Sequence, residues 1–189
     1  CDLVEWVGGE RFVDVSAAFA TVIAERGAVT GQSFTTPAAG SAKQAVASED
    51  VAAAMFKTST GTLASLTVSQ VSAGRHNRLW FEIDGAKASV AFNQEDAERL
   101  WIGHPDQREE TFVRGPGAGS AEQRRLAVFP PGHAQGYGTC FEAFVADTYR
   151  AIEGERPEGL PTFEDGARSA LIVDRFIASA RSRAWTAIS

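Results

Sequence analysis

Histidine, cysteine and glycine-rich segments are the first places in this sequence where chemistry could reside. His76, His104 and His133, with Cys1 and Cys140, show no metal-ligand spacing, so a metal site is not expected. Gly115-Pro-Gly-Ala-Gly119 has the glycine content of a phosphate-binding loop. A dinucleotide loop must follow a strand, open a helix and lie in a parallel βαβ unit. The residues after Gly119 show no clear helix before Phe129-Pro-Pro-Gly132, so a flexible loop is expected instead. Cys1 has the position of an N-terminal nucleophile, for which the terminal amine would act as base on the thiol. Such nucleophiles sit on a buried strand, whereas helical spacing follows Cys1, which favours a structural cysteine. His104 falls in a turn, and His76 lies at a strand entrance. His133 is more informative. In Pro130-Pro-Gly-His-Ala-Gln-Gly-Tyr137, stiff and permissive residues bracket an imidazole and a phenol just before a helix. Rigid loops held by a scaffold are where binding groups concentrate, so His133 either faces a ligand or makes a turn-stabilising hydrogen bond.

The elements that must position these groups centre on Val51 to Phe92, where apolar residues recur at every second position. Val51, Ala53 and Met55 alternate with Ala52, Ala54 and Phe56; Ala64, Leu66 and Val68 with Ser65, Thr67 and Ser69. Leu79, Phe81 and Ile83 alternate with Trp80, Glu82 and Asp84, and a fourth run follows at Ala88, Val90 and Phe92. A period of two defines strand faces, and the glycine-bearing connections Lys57 to Gly61 and Asp84 to Lys87 suit hairpins. The spacing predicts one meandering antiparallel sheet here. Phe12 to Ile23 reads as a long strand, and Ala24 to Glu49 as an aperiodic excursion or partner-binding arm. Glu98 to Gly103 and Glu110 to Arg114 read as a further hairpin through His104-Pro-Asp-Gln. The period then changes to helical: Phe141, Phe144, Val145, Thr148 and Ile152 form one stripe ending at Gly154. Thr162 caps a second helix carrying Ile172, Val173, Phe176, Ile177 and Ala180, and Trp185 to Ile188 makes a last short strand. Strands followed by helices indicate an α+β fold: a large, predominantly antiparallel open sheet with helices packed on one face.

A length of 189 residues suits a single domain. The net charge of −6, with no clustered Lys or Arg, argues against nucleic acid as a partner. No apolar run is long enough for a membrane span, and the start has no signal-peptide pattern. Two cysteines make no disulfide framework, so a cytoplasmic location is the default expectation. Leu3, Val4 and Val7 form a helical stripe capped by Gly8 or Gly9. A helix of under two turns is too short to be stable alone, so it reads as the tail of a longer element and the chain as a fragment.

Seven segments occur in an order that resembles a known family: Asp2 to Gly9, Glu49-Asp50, Gly74-Arg-His-Asn77, Phe81-Glu-Ile-Asp-Gly85, Gly132-His-Ala-Gln-Gly-Tyr137, Phe163-Glu-Asp-Gly166 and Ser182-Arg-Ala-Trp185. The order resembles the C-terminal domain of the glucose–fructose oxidoreductase / inositol dehydrogenase / rhizopine catabolism (Gfo/Idh/MocA) family, over nearly the whole chain. The resemblance implies a two-domain oxidoreductase using NAD or NADP on a sugar, cyclitol or related polyol. Its N-terminal Rossmann half, with the dinucleotide loop and a lysine in a Glu-Lys-Pro motif, is absent from residues 1–189. The family's catalytic histidine precedes the aspartate matching Asp2 by three positions, which places it two residues before Cys1. The resemblance therefore implies a single substrate-binding and oligomerisation domain, with no cofactor bound and no turnover by this chain alone. Asp2, one helical turn beyond that histidine, is expected to accept a substrate hydroxyl or orient the histidine; capping its short helix is the alternative. His133 and Tyr137 are expected to contact substrate from the long loop. Arg75 would reach an anionic substrate group or pair with Glu82 or Asp84. The small, polar face carrying Ser65, Thr67, Ser69 and Trp80 suits burial in a homo-oligomer. A module that only dimerises or holds a ligand, without catalysis, is the competing reading.

Overall fold

The computed structural model describes residues 1–27, 42–117 and 119–188. The chain divides into two units, Cys1–Ala73 with Phe163–Ser189, and Gly74–Thr162. The α+β class and its antiparallel sheets are as the periodicity predicts, but the strands are shared between separate sheets.

The first unit opens with helix α1 (Asp2–Gly8), which ends at Gly9 in the left-handed conformation (φ 65°). Glycine enters that region without the Cβ clash other residues meet. Strand β1 (Phe12–Ala20) follows, three residues shorter than predicted. Strands β2 (Glu25–Gly27) and β3 (Lys43–Ala45) pair with each other, so the two flanks of the aperiodic stretch are tied together. The body of that expected arm, residues 28–41, lies outside the described residues. Strands β4 (Val51–Thr58) and β5 (Leu63–Ser69) form the predicted hairpin.

In the second unit β6 (Trp80–Asp84), β7 (Ser89–Asn93), β8 (Arg99–Gly103) and β9 (Glu109–Val113) make an up-and-down antiparallel sheet. A single 3₁₀ turn, Gln94–Asp96, lies between β7 and β8. Helices α2 (Ala121–Leu126) and α3 (Tyr137–Ile152) complete this unit. Helix α4 (Phe163–Ser182), starting directly after Thr162, and β10 (Thr186–Ala187) return to the first.

The first sheet has the order β10-β1-β4-β5, and α4 covers one face of it. Its core joins Phe12, Val15, Ala54 and Phe56 to Ile172 and Phe176 of α4 and to Ile188. Phe12 stacks on Phe56 at 4.2 Å, and Phe19 on Phe176 at 5.5 Å. Phe56, Ile172 and Val15 are fully buried, each contributing roughly 2 kcal/mol of apolar transfer energy. Strict alternation would place Val13 beside Val15. A bulge between Phe12 and Asp14 shifts the register, so Phe12 and Val15 both point inward and Val13 outward. On α4 the buried line is Ile172, Phe176 and Ser179, rotated from the apolar stripe because Ser179 is needed inside. Its hydroxyl accepts from the Ala17 N–H at 3.0 Å and donates to the Ala184 carbonyl at 2.6 Å.

Two sequence expectations need correction. The strands from Val51 to Phe92 do not form one meander, since β5 pairs with β4 and β6 with β7 only. Ten residues, Gln70 to Leu79, separate β5 from β6, far more than a hairpin loop between neighbours takes. Trp80 therefore belongs to a different sheet from Ser65, Thr67 and Ser69. The predicted α3 forms, but Phe141, Phe144 and Val145 are about half exposed. The covered side of this helix carries Asp147, which faces Arg125 of α2.

Candidate functional site

In the first unit, α1 is anchored by a buried carboxylate. Glu5 accepts from the Phe12 N–H at 2.7 Å, from Arg168 at 2.8 Å and from Arg11 at 2.9 Å. Burial opposes its charge, but the hydrogen bonds from Arg168, Phe12 and Arg11 prevail and hold the carboxyl below its ordinary range. Arg168 also donates to the Phe12 carbonyl at 2.6 Å, tying α4 to β1. On this anchored helix Asp2 and Trp6 stand one turn apart and line a shallow depression of about 290 Å³ with Glu10 and Arg11. Cys1, not Asp2, is the N-cap residue, so Asp2 is exposed in the first turn. Cys1 itself is half-buried and packs against the core cluster, as a structural cysteine does.

In the second unit the loop before α3 is a built structure. Pro130-Pro-Gly-His133 is a β-turn closed by the His133 N–H donating to the Pro130 carbonyl at 3.2 Å. Gly132 has φ +87°, the positive value a type II turn requires at its third residue, and Pro131 presets the second. The turn is gripped from the β8–β9 hairpin. Arg114 donates to the Phe129 carbonyl at 2.7 Å and to the His133 carbonyl at 3.0 Å, one on each side of the turn. The same guanidinium pairs with Glu98 at 2.6 Å, and Glu98 accepts the Gln135 N–H at 2.9 Å. Gln135 closes the far side, donating to the Leu126 carbonyl and accepting from the Val128 N–H. Thr139 then starts α3, its hydroxyl accepting from the Gly136 N–H at 3.0 Å.

This framework brings His133 and Tyr137 to the surface within four residues of each other. His133 is exposed, and the contacts that place it are made by its backbone. Tyr137 is 81% exposed with its ring 4.7 Å from Phe141. Arg75 is not brought to them by any contact of its own. Its guanidinium pairs with Glu95 at 3.2 Å rather than with Glu82 or Asp84, because the turn after Asn93 carries Glu95 to the strand entrance.

The glycine segment Gly115 to Gly119 also departs from expectation. A short helix, α2, does follow it, started by a capping box between Ser120 and Gln123. The preceding strand β9 runs antiparallel to β8, so the parallel unit a dinucleotide loop needs is not formed and the segment does not fit a nucleotide. Among the described residues no group of three or more His, Cys, Asp or Glu is arranged to hold a metal ion. Among them no helix is long and apolar enough to cross a membrane.

Sequence reasoning overlooked Arg114, Glu98 and Gln135. A four-residue loop at 104–107 would set Glu98 against Val113. The observed register, one residue later, sets it against Arg114 as an opposite-charge cross-strand pair, so the hairpin was legible in the sequence and this pairing was not.

The chain is similar to known proteins along nearly its whole length. A family model described as "Oxidoreductase family, C-terminal alpha/beta domain" (GFO_IDH_MocA_C) matches residues 8–188. A levoglucosan dehydrogenase of Pseudarthrobacter phenanthrenivorans is 30% identical, over 97% of this chain and 48% of its own length. The crystal structure of an oxidoreductase domain protein from Kribbella flavida superposes with a TM-score of 0.82 at 28% identity, covering 100% of this chain and 49% of that one. A levoglucosan dehydrogenase in complex with NADH and levoglucosan superposes with a TM-score of 0.79 at 29% identity, over 98% of this chain and 47% of that one. The chain thus spans about half the length of the relatives it matches.

Proposed function

Because the chain belongs to the Gfo/Idh/MocA oxidoreductase family, as a C-terminal α/β domain, we propose that it is the substrate-binding and assembly domain of an NAD(P)-dependent dehydrogenase of sugars, cyclitols or related polyols. The observation that carries this reading is its likeness, along nearly all its length, to half of a dehydrogenase solved with NADH and levoglucosan. Residues 1–189 act as one such domain, and NAD or NADP is held mainly by a nucleotide-binding half outside them. The antiparallel pairing of β9, the strand that precedes Gly115–Gly119, supports that division.

Oxidation of a secondary carbinol needs a base for the hydroxyl proton and a surface that fixes the carbon against the nicotinamide. The cofactor supplies the hydride chemistry. This chain supplies recognition: Asp2, exposed on an anchored helix, accepts a hydrogen bond from a substrate hydroxyl or orients the base. His133 and Tyr137 present an imidazole and a phenol from a fixed turn, both suited to hydroxyl groups. Arg75 is left out of this set, since Glu95 already holds it. The protein works in the cytoplasm, where free Cys1 and Cys140 stay reduced.

The test is turnover by the complete protein that carries this chain. NAD⁺ and levoglucosan should give NADH at 340 nm, and a panel of pyranoses and cyclitols would refine the substrate class. Failure with every polyol would sink the reading. NADH titrated into residues 1–189 alone should give no binding heat; tight binding would overturn the division of labour.

A further inference from the structure

We propose that the Arg114–Glu98 pair is a positioning device for substrate recognition, fixing the Phe129–Gln135 segment so that His133 is presented in one geometry. The inference rests on the sugar-binding role proposed for His133. Loops between elements usually owe their place to their ends, and here the ties converge on the seven residues that carry the imidazole. Arg114 spans the turn, donating to the carbonyls of Phe129 and His133 on either side of it. A guanidinium can do this while paired because its donors form a rigid planar fork. Glu98 holds that fork at 2.6 Å and 3.4 Å and takes the Gln135 N–H with the same carboxylate. Residues 129, 133 and 135 are thereby tied to one ion pair at the end of the β8–β9 hairpin.

Two further observations show the segment built onto this pair. A Cβ on Gly115, the residue after Arg114, would meet the Pro131 ring at 3.0 Å, so the turn seats closely against the backbone beside the clamp. The pair is largely covered, with side-chain exposures of 18% and 26%, where ion pairs are screened less than on an open surface. A rigid loop end matters to binding because ordering a mobile recognition group on association costs affinity. Arg114 and Glu98 act on substrate only through the turn they hold.

The variants Arg114→Lys and Glu98→Gln, made in the complete protein, test this. Lysine keeps the charge but has no planar fork, and glutamine keeps an acceptor for the Gln135 N–H but loses the charge. Both should speed amide hydrogen exchange within residues 129–135 and leave it unchanged in β7 and β8. With levoglucosan and NAD⁺, the sugar KM should rise about tenfold, kcat should hold within about twofold, and the KM for NAD⁺ should not move, as loss of uniform binding predicts. His133→Ala should raise the sugar KM without speeding exchange elsewhere in the segment. Unchanged exchange in both clamp variants overturns the clamp. Faster exchange with an unchanged sugar KM, while His133→Ala raises it, overturns the positioning role. A His133→Ala variant with an unaltered sugar KM, or no sugar turnover by the unsubstituted protein, sinks the recognition reading and the positioning role with it. The exchange result then still decides whether the pair holds the segment.

Discussion

Glu5 shows how one buried charge fixes an entire helix end. Its carboxylate takes three donors from β1, α4 and the loop between α1 and β1, and it is nearly inaccessible. Removing it leaves Arg168 and the Phe12 N–H without their partner, the costly way to break a buried pair. Glu5→Ala should therefore destabilise this chain by about 2–3 kcal/mol in urea unfolding; a loss below roughly 0.5 kcal/mol would show that the contacts are replaced by water. The pH dependence follows from the direction of the shift. A carboxyl held below its ordinary value in the folded chain contributes fully above its unfolded pKa, and the contribution is lost as pH falls through the lower folded one. Asp50, held below its ordinary range chiefly by the Ile23 N–H, works in the same sense. Stability should fall on acidification below the usual carboxylate range, and Glu5→Gln should make that limb shallower in thermal unfolding followed from neutral to acid pH. At this scale the sequence was partly legible. Pro130-Pro-Gly-His announced a turn with its mechanism, but Glu5 reads simply as one acidic residue on a short helix. Its importance depends on Arg168, 163 residues away, and no local pattern reports that.

Among the elements, hairpins were readable because register and turn chemistry are local. The β8–β9 and β6–β7 pairs form where alternation and turn residues predicted them. Long-range choices were not readable: β5 does not continue into β6, and β1 hides Phe12 beside Val15 through a bulge that strict alternation cannot foresee. For the two helices of the second unit the reason is electrostatic. Arg125 of α2 is shared by Glu122 and Asp147, and Asp147 also takes Arg150, which in turn pairs with Glu155. That network covers the polar side of α3 and leaves its apolar stripe outward. A helix of six residues has little stability of its own, so α2 should depend on this pairing. Asp147→Ala should unfix α2, seen as faster amide exchange in Ala121–Leu126, with α3 retained because its sixteen residues keep their own ladder. Protection of α2 equal to that of the unsubstituted chain would show that the Arg125 pairings are surface decoration.

At the scale of the whole molecule, the face of the first sheet opposite α4 carries the argument for assembly. Register places Ser16, Ala18, Ala53, Met55, Ser65 and Thr67 side by side on it, small residues around a methionine that is half exposed. Small side chains make a flat surface that a second copy can approach closely, and two sheets pack face to face at roughly 10 Å. Three strands of seven to nine residues and the two-residue β10, about 4.8 Å apart, project only roughly 400 Å², against the roughly 800 Å² per partner of a standard interface. The margins must therefore be covered as well. Leu63, 61% exposed on β5, and Trp185, whose ring lies under the Lys57 ammonium at 4.6 Å, supply apolar surface at opposite edges of the same face. The complete protein is accordingly expected to run as a homo-oligomer in light scattering. Ala53→Arg, at the centre of the face and outside the α4-packed core, should shift it toward monomer with little change in the unfolding midpoint of the isolated chain. Leu63→Asp at the margin should weaken assembly by a smaller factor. A monodisperse monomer from the unsubstituted protein would mean that this sheet face meets solvent, and the small residues on it would then have no account in assembly.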